Sequence, residues 1–295
     1  MLPLSSIALD GAARLRLGPH PARARQDAET LLQHVLGKEK AWLIAHGEEQ
    51  LSGDKVARYA DLLERRFRGE PIQYITGEAE FYGLLFRVTH DVLIPRPETE
   101  HLVEKALALA AGFEQPRIVD VGTGSGAIAV ALAHELPKAR ITAIDLSEPA
   151  LAIARKNAER NGISARIRFL SGDLLVPVAG ERFDFVVSNP PYVPGVDRAT
   201  LTVEVRDYEP EMALFAGDDG LEVYRRLIPA AFAALIPGGF VLLEIGYGQS
   251  HAIIELLVAS GFRQIEFVPD LQGIPRVACA RADAAASKRT GAKRK

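Results

Sequence analysis

Cysteine is nearly absent from this 295-residue sequence, in which Cys279 has no second cysteine to pair with. An internal disulfide is therefore excluded, and the chain fits a reducing compartment. Cys279 falls inside a predicted strand, where burial in the core is the more common role of a free cysteine. The seven histidines are scattered without a zinc-binding spacing such as His-Glu-x-x-His, so we expect no metal.

Long apolar runs and a strong excess of charge are also missing. No apolar stretch approaches the about 20 residues of a membrane-spanning helix, and the N-terminus lacks the pattern of a signal peptide. We therefore expect a soluble cytoplasmic protein without a membrane partner. The net charge of −3 does not indicate the broadly basic surface of a protein that wraps duplex nucleic acid.

Apolar residues recur at helical spacing near the N-terminus, over residues 24–36 and again over residues 56–67. This pattern predicts a small helical domain at residues 1–78. An alternating stretch with Gly83 as its turn predicts a β-hairpin within a linker at residues 79–96.

Helix and strand patterns alternate over residues 97–282, which predicts a doubly wound α/β domain. Its last strands are expected at Gly239–Ile245, Arg263–Pro269 and Arg276–Arg281. Residues 201–215 have mixed character and are expected to form a flap near the active site. The acidic residues of this flap, expected on a solvated face, are Glu204, Asp207, Glu209 and Glu211.

Residues 283–295 are rich in Ala, Ser, Lys and Arg, which predicts a disordered basic tail. The basic residues are Lys288, Arg289, Lys293, Arg294 and Lys295. A solvated tail is the favoured interpretation, and contact with ribosomal RNA is the alternative.

A glycine-rich turn follows the strand-like run Arg117–Val121. Glycines at 122, 124 and 126 precede a helical stretch at Ala127–Glu135. Glycine lets a ligand approach the backbone, and a helix N-terminus offers free N–H groups. The turn indicates a nucleotide-type cofactor, although its G-x-G-x-G spacing differs from that of dinucleotide folds and also suits an ordinary tight turn.

Two acids end the next two predicted strands. Asp145 closes the run Ala139–Asp145, where a carboxylate can accept both hydroxyls of a ribose. Its alternative role is to cap the helix that begins near Glu148. Asp173 follows the run Arg166–Gly172 and would then lie beside an adenine.

The tetrapeptide Asn189-Pro190-Pro191-Tyr192 follows the strand-like run Phe183–Ser188. Parallel strands bind ligands at their carboxyl ends. Because proline has no N–H, no donor within the loop claims the side-chain and backbone carbonyls, which can together grip a planar NH2 group. An ordinary proline-rich turn is the alternative. Tyr192 either packs against the gripped group or anchors the loop in the core.

Together these features resemble the class I S-adenosylmethionine-dependent methyltransferases, in the branch that methylates amide or exocyclic amino nitrogens. Further blocks resemble signatures of the HemK/PrmC family of peptide chain release factor glutamine N5-methyltransferases. These blocks are Pro71–Glu78, Phe81–Gly83, Ile94–Glu100 and Leu243–Gly246. The resemblance runs from about residue 20 to about residue 280.

The resemblance implies a Rossmann-like α/β domain with a seven-stranded, mostly parallel sheet, preceded by a small N-terminal helical domain and a linking β-hairpin. It implies S-adenosyl-L-methionine as cofactor and S-adenosyl-L-homocysteine as product. The cofactor residues carried over are Asp120, Val121, Gly122, Thr123, Gly124, Asp145, Asp173, Leu174 and Asn189. Leu174 departs from the family, which often has tryptophan there.

The resemblance also implies the substrate site and the partner. Asn189, Pro190 and Tyr192 would be catalytic, and the whole loop Asn189–Tyr192, including Pro191, would bind the substrate glutamine. The partner would be a class 1 release factor, which presents the glutamine of its Gly-Gly-Gln motif. The helical domain would recognise that factor elsewhere on its surface. A monomer is expected, and nucleic acid is not expected as a partner.

Three other functions share some of these features. A base-directed, adenine N6-type DNA or rRNA methyltransferase would use the same Asn-Pro-Pro-Tyr motif on a flipped base, but no target-recognition domain is visible. A nicotinamide oxidoreductase would not explain that motif. A non-catalytic binding module would not need to keep both loops intact.

Overall fold

A computed structural model of the chain describes residues 3–283. The predicted tail beyond Asp283, with its basic cluster, lies outside the described residues. The described chain forms two compact units. The first contains the residues up to Glu78 together with residues 88–90 and 199–209, and the second contains the remainder. Whether these units act as the separate functional domains expected from the sequence stays a prediction.

Helices occupy most of the first unit and alternate with strands in the second. In chain order the helices are α1 (Leu4–Leu15), α2 (Ala24–Leu36), α3 (Lys40–Ala45), α4 (Gly53–Phe67), α5 (Ile72–Thr76), α6 (Glu100–Ala110), α7 (Ala127–Glu135), α8 (Glu148–Arg160), α9 (Val203–Tyr208), α10 (Glu222–Ala234) and α11 (Ser250–Ser260). The strands are β1 (Glu78–Phe81), β2 (Leu84–Arg87), β3 (Arg117–Val121), β4 (Arg140–Asp145), β5 (Ile167–Ser171), β6 (Phe183–Ser188), β7 (Leu235–Glu244), β8 (Phe262–Pro269) and β9 (Pro275–Ala282).

The first unit is built around the two helices predicted from apolar periodicity, α2 and α4. Ala28 and Leu31 of α2 are fully buried. The hydroxyl of Tyr59 on α4 donates to the carbonyl oxygen of Ala28 at 3.1 Å, which joins the two helices with a buried polar contact. A Cβ on Gly11 of α1 would lie 2.3 Å from that hydroxyl, so α1 can pack there only with glycine.

The expectation that the acids of residues 201–215 form a solvated face is wrong for two of them. Glu209 is buried, and Glu204 of α9 pairs with Arg66 of α4 inside the first unit. The side chain of Arg66 is 1% exposed, and its Nε donates to Asp27 Oδ2 at 2.6 Å. Sequence reasoning missed this because the partner of Glu204 lies 138 residues away.

Seven strands of the second unit form one sheet in the order β5-β4-β3-β6-β7-β9-β8. β9 runs antiparallel to both of its neighbours, and the pairs among β3, β4, β5, β6 and β7 are parallel. This arrangement confirms the predicted class I fold and its reversed hairpin edge. β7 begins at Leu235, four residues before the predicted Gly239, because the chain already pairs with β6 there.

Both faces of this sheet are buried, as expected for a doubly wound domain. In β3, Ile118 packs with α6 and α7, whereas the next residue, Val119, packs with α10 and α11 on the opposite face. Cys279 of β9 is buried, as predicted, and burial raises the pKa of its thiol to about 12.

A two-stranded hairpin, β1 and β2, contains the turn predicted at Gly83. Tyr82 and Gly83 both adopt a positive φ, at 53° and 69°. The strands end at Arg87, so the rest of the predicted linker, residues 88–96, continues without strand structure.

Candidate active site

A cleft of about 240 Å³ lies in the second unit at the carboxyl ends of β3, β4 and β6. Strand order reverses between β3 and β6, because β4 and β5 lie on one side and β7 on the other. In open α/β sheets the loops diverge at such a point and leave a crevice for a ligand. The fold therefore places the glycine turn and the Asn-Pro-Pro-Tyr loop around one cleft.

The glycine turn after β3 has the backbone that its sequence predicts. Gly122, Gly124 and Gly126 all have positive φ, between 55° and 82°. The backbone N–H groups of Gly122 and Thr123 both donate to the carbonyl oxygen of Ile144, at 2.8 and 2.9 Å. A Cβ on Gly122 or Gly124 would meet nothing within 4 Å, so open space lies above the turn.

Asp145, at the end of β4, holds this turn in place. Its Oδ2 accepts from the N–H of Gly124 at 2.8 Å and its Oδ1 from the N–H of Ser147 at 2.9 Å. The N-cap of α8 is Ser147, whose hydroxyl accepts from Ala150, so the alternative of Asp145 as that cap is wrong. Burial raises the pKa of Asp145, while the backbone N–H donors oppose that shift.

Asp120 lies fully buried beneath the turn, near the end of β3. Its Oδ2 accepts from the hydroxyl of Thr123 at 2.6 Å, and its Oδ1 has no partner of normal hydrogen-bond geometry among residues 3–283. Burial raises the pKa of this carboxyl to about 7, and the hydroxyl of Thr123 and the backbone N–H of Ala129 oppose that rise.

Asn189 is held from behind by Thr99, which immediately precedes α6. The side-chain Nδ2 of Asn189 donates to Thr99 Oγ1 at 3.1 Å. Both residues line the cleft. With Nδ2 engaged, the carbonyl oxygen Oδ1 is the amide atom that can accept from a ligand.

Glu244, the last residue of β7, lies behind Thr99 and is 2% exposed. Its Oε2 accepts from Thr99 Oγ1 at 2.5 Å, and its Oε1 accepts from the hydroxyl of Tyr192 at 3.3 Å. Burial raises the pKa of Glu244 to about 7, and burial also raises the pKa of Tyr192. Of the two roles considered for Tyr192, this contact and its packing against the core support the anchoring of the loop.

Gln249, just before α11, ties three loops together. Its Nε2 donates to the carbonyl oxygen of Tyr192 at 3.0 Å and to that of Gly220 at 3.4 Å. Its Oε1 accepts from the N–H of Gly246 at 2.9 Å. The Asn-Pro-Pro-Tyr loop is thus held by its backbone as well as by the Tyr192 ring.

Most of the residues predicted for the site line the cleft. Those that do are Val121, Gly122, Thr123, Gly124, Asp145, Asp173, Leu174, Asn189 and Pro191. Asp120, Pro190 and Tyr192 stand outside this lining, and Asp120 and Pro190 are buried. Leu174 has a positive φ of 49°, and the neighbouring Asp173 forms an ion pair with Arg226.

Residues of the segment 91–99 line one wall of the cleft, and the sequence analysis named none of them as site residues. The exposed Met212 also lines the cleft, and it lies within residues 201–215, the predicted flap near the active site. The family signature Ile94–Glu100 was the available signal, but it assigned no role to Thr99. Glu244 likewise lies within a signature block and was given no role.

Within residues 3–283, no three His, Cys, Asp or Glu side chains come together in a way that could hold a metal ion. No helix in the same range has the length and apolar character needed to cross a membrane.

Two family models match the chain. Residues 11–77 match the model described as PrmC N-terminal domain, and residues 99–205 match the one described as methyltransferase small domain. The second match covers both the glycine turn and the Asn-Pro-Pro-Tyr loop.

Curated relatives match over nearly the whole chain. The release factor glutamine methyltransferase of Koribacter versatilis is 45% identical over 87% of this chain and 91% of its own length. The protein of the same name from Deinococcus radiodurans is 43% identical over 95% of this chain and 99% of its own. A methyltransferase structure from Pyrococcus furiosus has a TM-score of 0.51 at 21% identity, over 68% of this chain and 90% of that one, and shows a shared fold.

Proposed function

The chain belongs to the family of release factor glutamine methyltransferases, and from this premise we propose that it methylates the side-chain amide nitrogen of a glutamine. The glutamine is that of the Gly-Gly-Gln motif in class 1 peptide chain release factors, and the methyl donor is S-adenosyl-L-methionine. The observation that carries the proposal is the Asn189 amide, which is held at Nδ2 and presents Oδ1 as an acceptor at the cleft. With this substrate the reaction takes place in the cytoplasm, where translation occurs.

The residues around the glycine turn fit the proposed cofactor. Open space lies above Gly122 and Gly124, so a ligand can approach their backbone closely. Asp120, fully buried beneath this turn, would act on the methionine part of the cofactor through the turn it supports, because its Oδ2 accepts from the hydroxyl of Thr123. Asp145 would accept the ribose hydroxyls, and Asp173 with Leu174 would border the adenine.

A neutral amide nitrogen is a poor nucleophile, because its lone pair is delocalised into the carbonyl. It is also too weak an acid for a side-chain base to deprotonate first. Asn189 Oδ1 and the Pro190 carbonyl would instead accept from the two N–H groups and align the lone pair with the methyl group. Asn, unlike Asp, adds no formal negative charge.

S-adenosylmethionine supplies a methyl group bonded to a positively charged sulfur. The glutamine nitrogen would form the new N–C bond with its lone pair as the S–C bond breaks and its electron pair stays on sulfur. The carbonyl dipoles of the Asn-Pro-Pro-Tyr loop would stabilise the positive charge that develops on the nitrogen. The nitrogen would release its extra proton to water after the transfer.

The first unit is proposed to bind the release factor away from the glutamine. Its helices match the family's N-terminal model over residues 11–77. Contact at a second place would position a flexible loop at lower entropic cost than the tripeptide alone. The base-directed alternative is not favoured, since the curated relatives carry the name of a protein glutamine methyltransferase.

The experiment is transfer of labelled methyl from S-adenosylmethionine to a purified class 1 release factor. Its Gln→Ala variant in Gly-Gly-Gln, free DNA and ribosomal RNA are assayed alongside. Label on the wild-type factor alone supports the proposal, and label on nucleic acid overturns the substrate.

Asn189→Ala tests the grip within the same assay. We expect it to abolish turnover while leaving much of the cofactor affinity, and an active variant would contradict the proposed role. Asn161→Ala is the matched control, because the Asn161 side chain bonds the carbonyl oxygens of Leu85 and Asn157.

A further inference from the structure

Four side chains form one continuous hydrogen-bonded path that starts at the wall of the cleft and runs behind it within the second unit. Asn189 Nδ2 contacts Thr99 Oγ1, Thr99 Oγ1 contacts Glu244 Oε2, and Glu244 Oε1 contacts the Tyr192 hydroxyl. Thr99 is 4% exposed and Glu244 is 2% exposed. Water therefore competes little for these groups, and each donor and acceptor depends on its protein partner.

The chemistry of a hydroxyl gives this path a direction. Thr99 has one proton to donate and lone pairs that accept. In the hydrogen bond between these side chains Thr99 Oγ1 donates to Glu244 Oε2, so the Thr99 proton points toward Glu244. The lone pairs of Thr99 then remain for Asn189, and only the NH2 end of its amide can meet them.

The orientation of Asn189 decides what the cleft can bind. An asparagine amide has two orientations that differ by exchange of its oxygen and nitrogen and have nearly the same shape. With Nδ2 on Thr99, Oδ1 is available to a substrate NH2 group. In the reversed orientation Nδ2 would meet the substrate NH2, and two donors would oppose each other.

We propose that Thr99 and Glu244 are positioning residues that fix which end of the Asn189 amide faces the substrate. This inference rests on the proposed function for its meaning in catalysis. Neither residue needs to touch the transferred methyl group. Tyr192, held by the same Glu244 carboxylate, fixes the other end of the loop.

The test compares full-length variants at Thr99. Thr99→Val keeps the shape and removes the hydroxyl, whereas Thr99→Ser keeps the hydroxyl and removes the methyl group. Thr142→Val is the matched control, because Thr142 is a buried threonine of β4 outside this path. Each variant is assayed for kcat and KM on the release factor and for S-adenosylmethionine Kd by calorimetry.

We expect Thr99→Val to lower kcat by about tenfold to a hundredfold, the cost of a misplaced reacting group, with little change in the cofactor Kd. Thr99→Ser and Thr142→Val should keep most of the wild-type kcat. Wild-type kcat in Thr99→Val would overturn the proposal. An equal loss of kcat in Thr99→Ser would also overturn it, because the hydroxyl would then not be the cause.

Nuclear magnetic resonance provides a second reading that does not need turnover. The chain has three asparagines, Asn157, Asn161 and Asn189, so selective 15N-asparagine labelling gives three side-chain amides. Thr99→Val and Glu244→Gln should shift the Asn189 amide signal and speed its proton exchange, whereas the Asn157 and Asn161 signals stay in place. An Asn189 signal unchanged in both variants would overturn the proposal.

The two readings separate this inference from the proposed function. If the wild-type protein fails to label the release factor, the proposed substrate is wrong, and the Asn189 signal alone decides the inference. If the factor is labelled but Thr99→Val changes neither the Asn189 amide signal nor kcat, the proposed function stands and the positioning role is wrong.

Discussion

A Cβ atom on Gly220 would lie 2.3 Å from the carbonyl oxygen of Tyr192. The same carbonyl accepts a hydrogen bond from Gln249 Nε2 at 3.0 Å. Gly220 also has a φ of 73°, which disfavours any other residue. The backbone after β6 and the loop before α10 therefore approach as closely as a glycine allows.

Gly220→Ala should displace the Asn-Pro-Pro-Tyr loop and lower methyl transfer more than cofactor binding. The added methyl group cannot fit without moving the Tyr192 carbonyl away from Gln249. A shift of about 1 Å at a reacting group costs about a hundredfold in rate. Steady-state kcat, with cofactor Kd measured by calorimetry, checks this prediction.

Gly162→Ala is the control for backbone strain in that experiment. Gly162 has a similar φ of 71°, but a Cβ there would meet nothing within 4 Å. It should lose about 1–2 kcal/mol of stability, because an alanine is strained at this φ, and keep its kcat. If both variants lose turnover equally, strain rather than the clash with Tyr192 is responsible.

Arg66→Met should destabilise the first unit by about 3 kcal/mol or more, because it leaves the carboxylates of Asp27 and Glu204 without their buried partner. Trp42, the sole tryptophan, packs against the core of this unit, so its fluorescence reports unfolding there. Urea titration followed by that fluorescence gives the change.

Arg68→Met serves as the comparison for Arg66→Met. The Arg68 side chain is 71% exposed and pairs with Glu64 one helical turn away. Its removal should change the urea midpoint little, since exposed pairs are screened by water. Equal shifts of the urea midpoint in the two variants would mean that the buried ion pairs of Arg66 stabilise the fold no more than an exposed pair does.

Glu244 should make stability depend on pH. Burial raises its pKa from 4.5 to about 7 in the folded protein, helped by Glu98 and opposed by Arg276 and by the hydroxyls of Thr99 and Tyr192. At a pH between 4.5 and about 7, the Glu244 carboxyl therefore keeps its proton in the folded state and has lost it in the unfolded state. This contribution favours folding at low pH and is lost as pH rises through about 7.

Glu244→Gln removes this titration and keeps the shape of the side chain. The stability of the wild type relative to Glu244→Gln should fall between pH 5 and pH 8, by at most about 3 kcal/mol. Asp120, whose pKa is also raised to about 7, is present in both proteins and cancels. Urea midpoints across this range provide the check, with Glu114→Gln, a change at an exposed carboxylate, as control. A stability difference between the wild type and Glu244→Gln that does not change with pH would refute the titration of Glu244 in this range.

Local pattern was enough to predict the elements that carry the cofactor turn. The strand Arg117–Val121 and the helix Ala127–Glu135 have the predicted bounds. Their apolar periodicity and the glycines between them mark where each element begins and ends within a few residues. The Asn-Pro-Pro-Tyr loop was located for the same reason, since a strand pattern leads directly into it.

The partners of these loops could not be predicted from local pattern. Thr99 and Glu244 are 145 residues apart in the chain and meet only because β7 ends beside the start of α6. Gln249 reaches Tyr192 across 57 residues. The contact of Glu204 with the buried Arg66 likewise depends on tertiary packing, and the charged residues of α9 alone favour a solvated surface.

Asp145→Ala should raise the S-adenosylmethionine Kd by about tenfold or more. The carboxylate accepts from the N–H groups of Gly124 and Ser147, so its loss removes both the proposed ribose acceptor and a support of the glycine turn. Charge-assisted hydrogen bonds contribute about 1.5–3 kcal/mol each. Calorimetric titration gives the Kd directly.

Asp173→Ala should weaken binding less, because Asp173 is half-exposed and already paired with Arg226. Wild-type affinity in Asp145→Ala, or a larger loss in Asp173→Ala, would move the ribose site away from the end of β4.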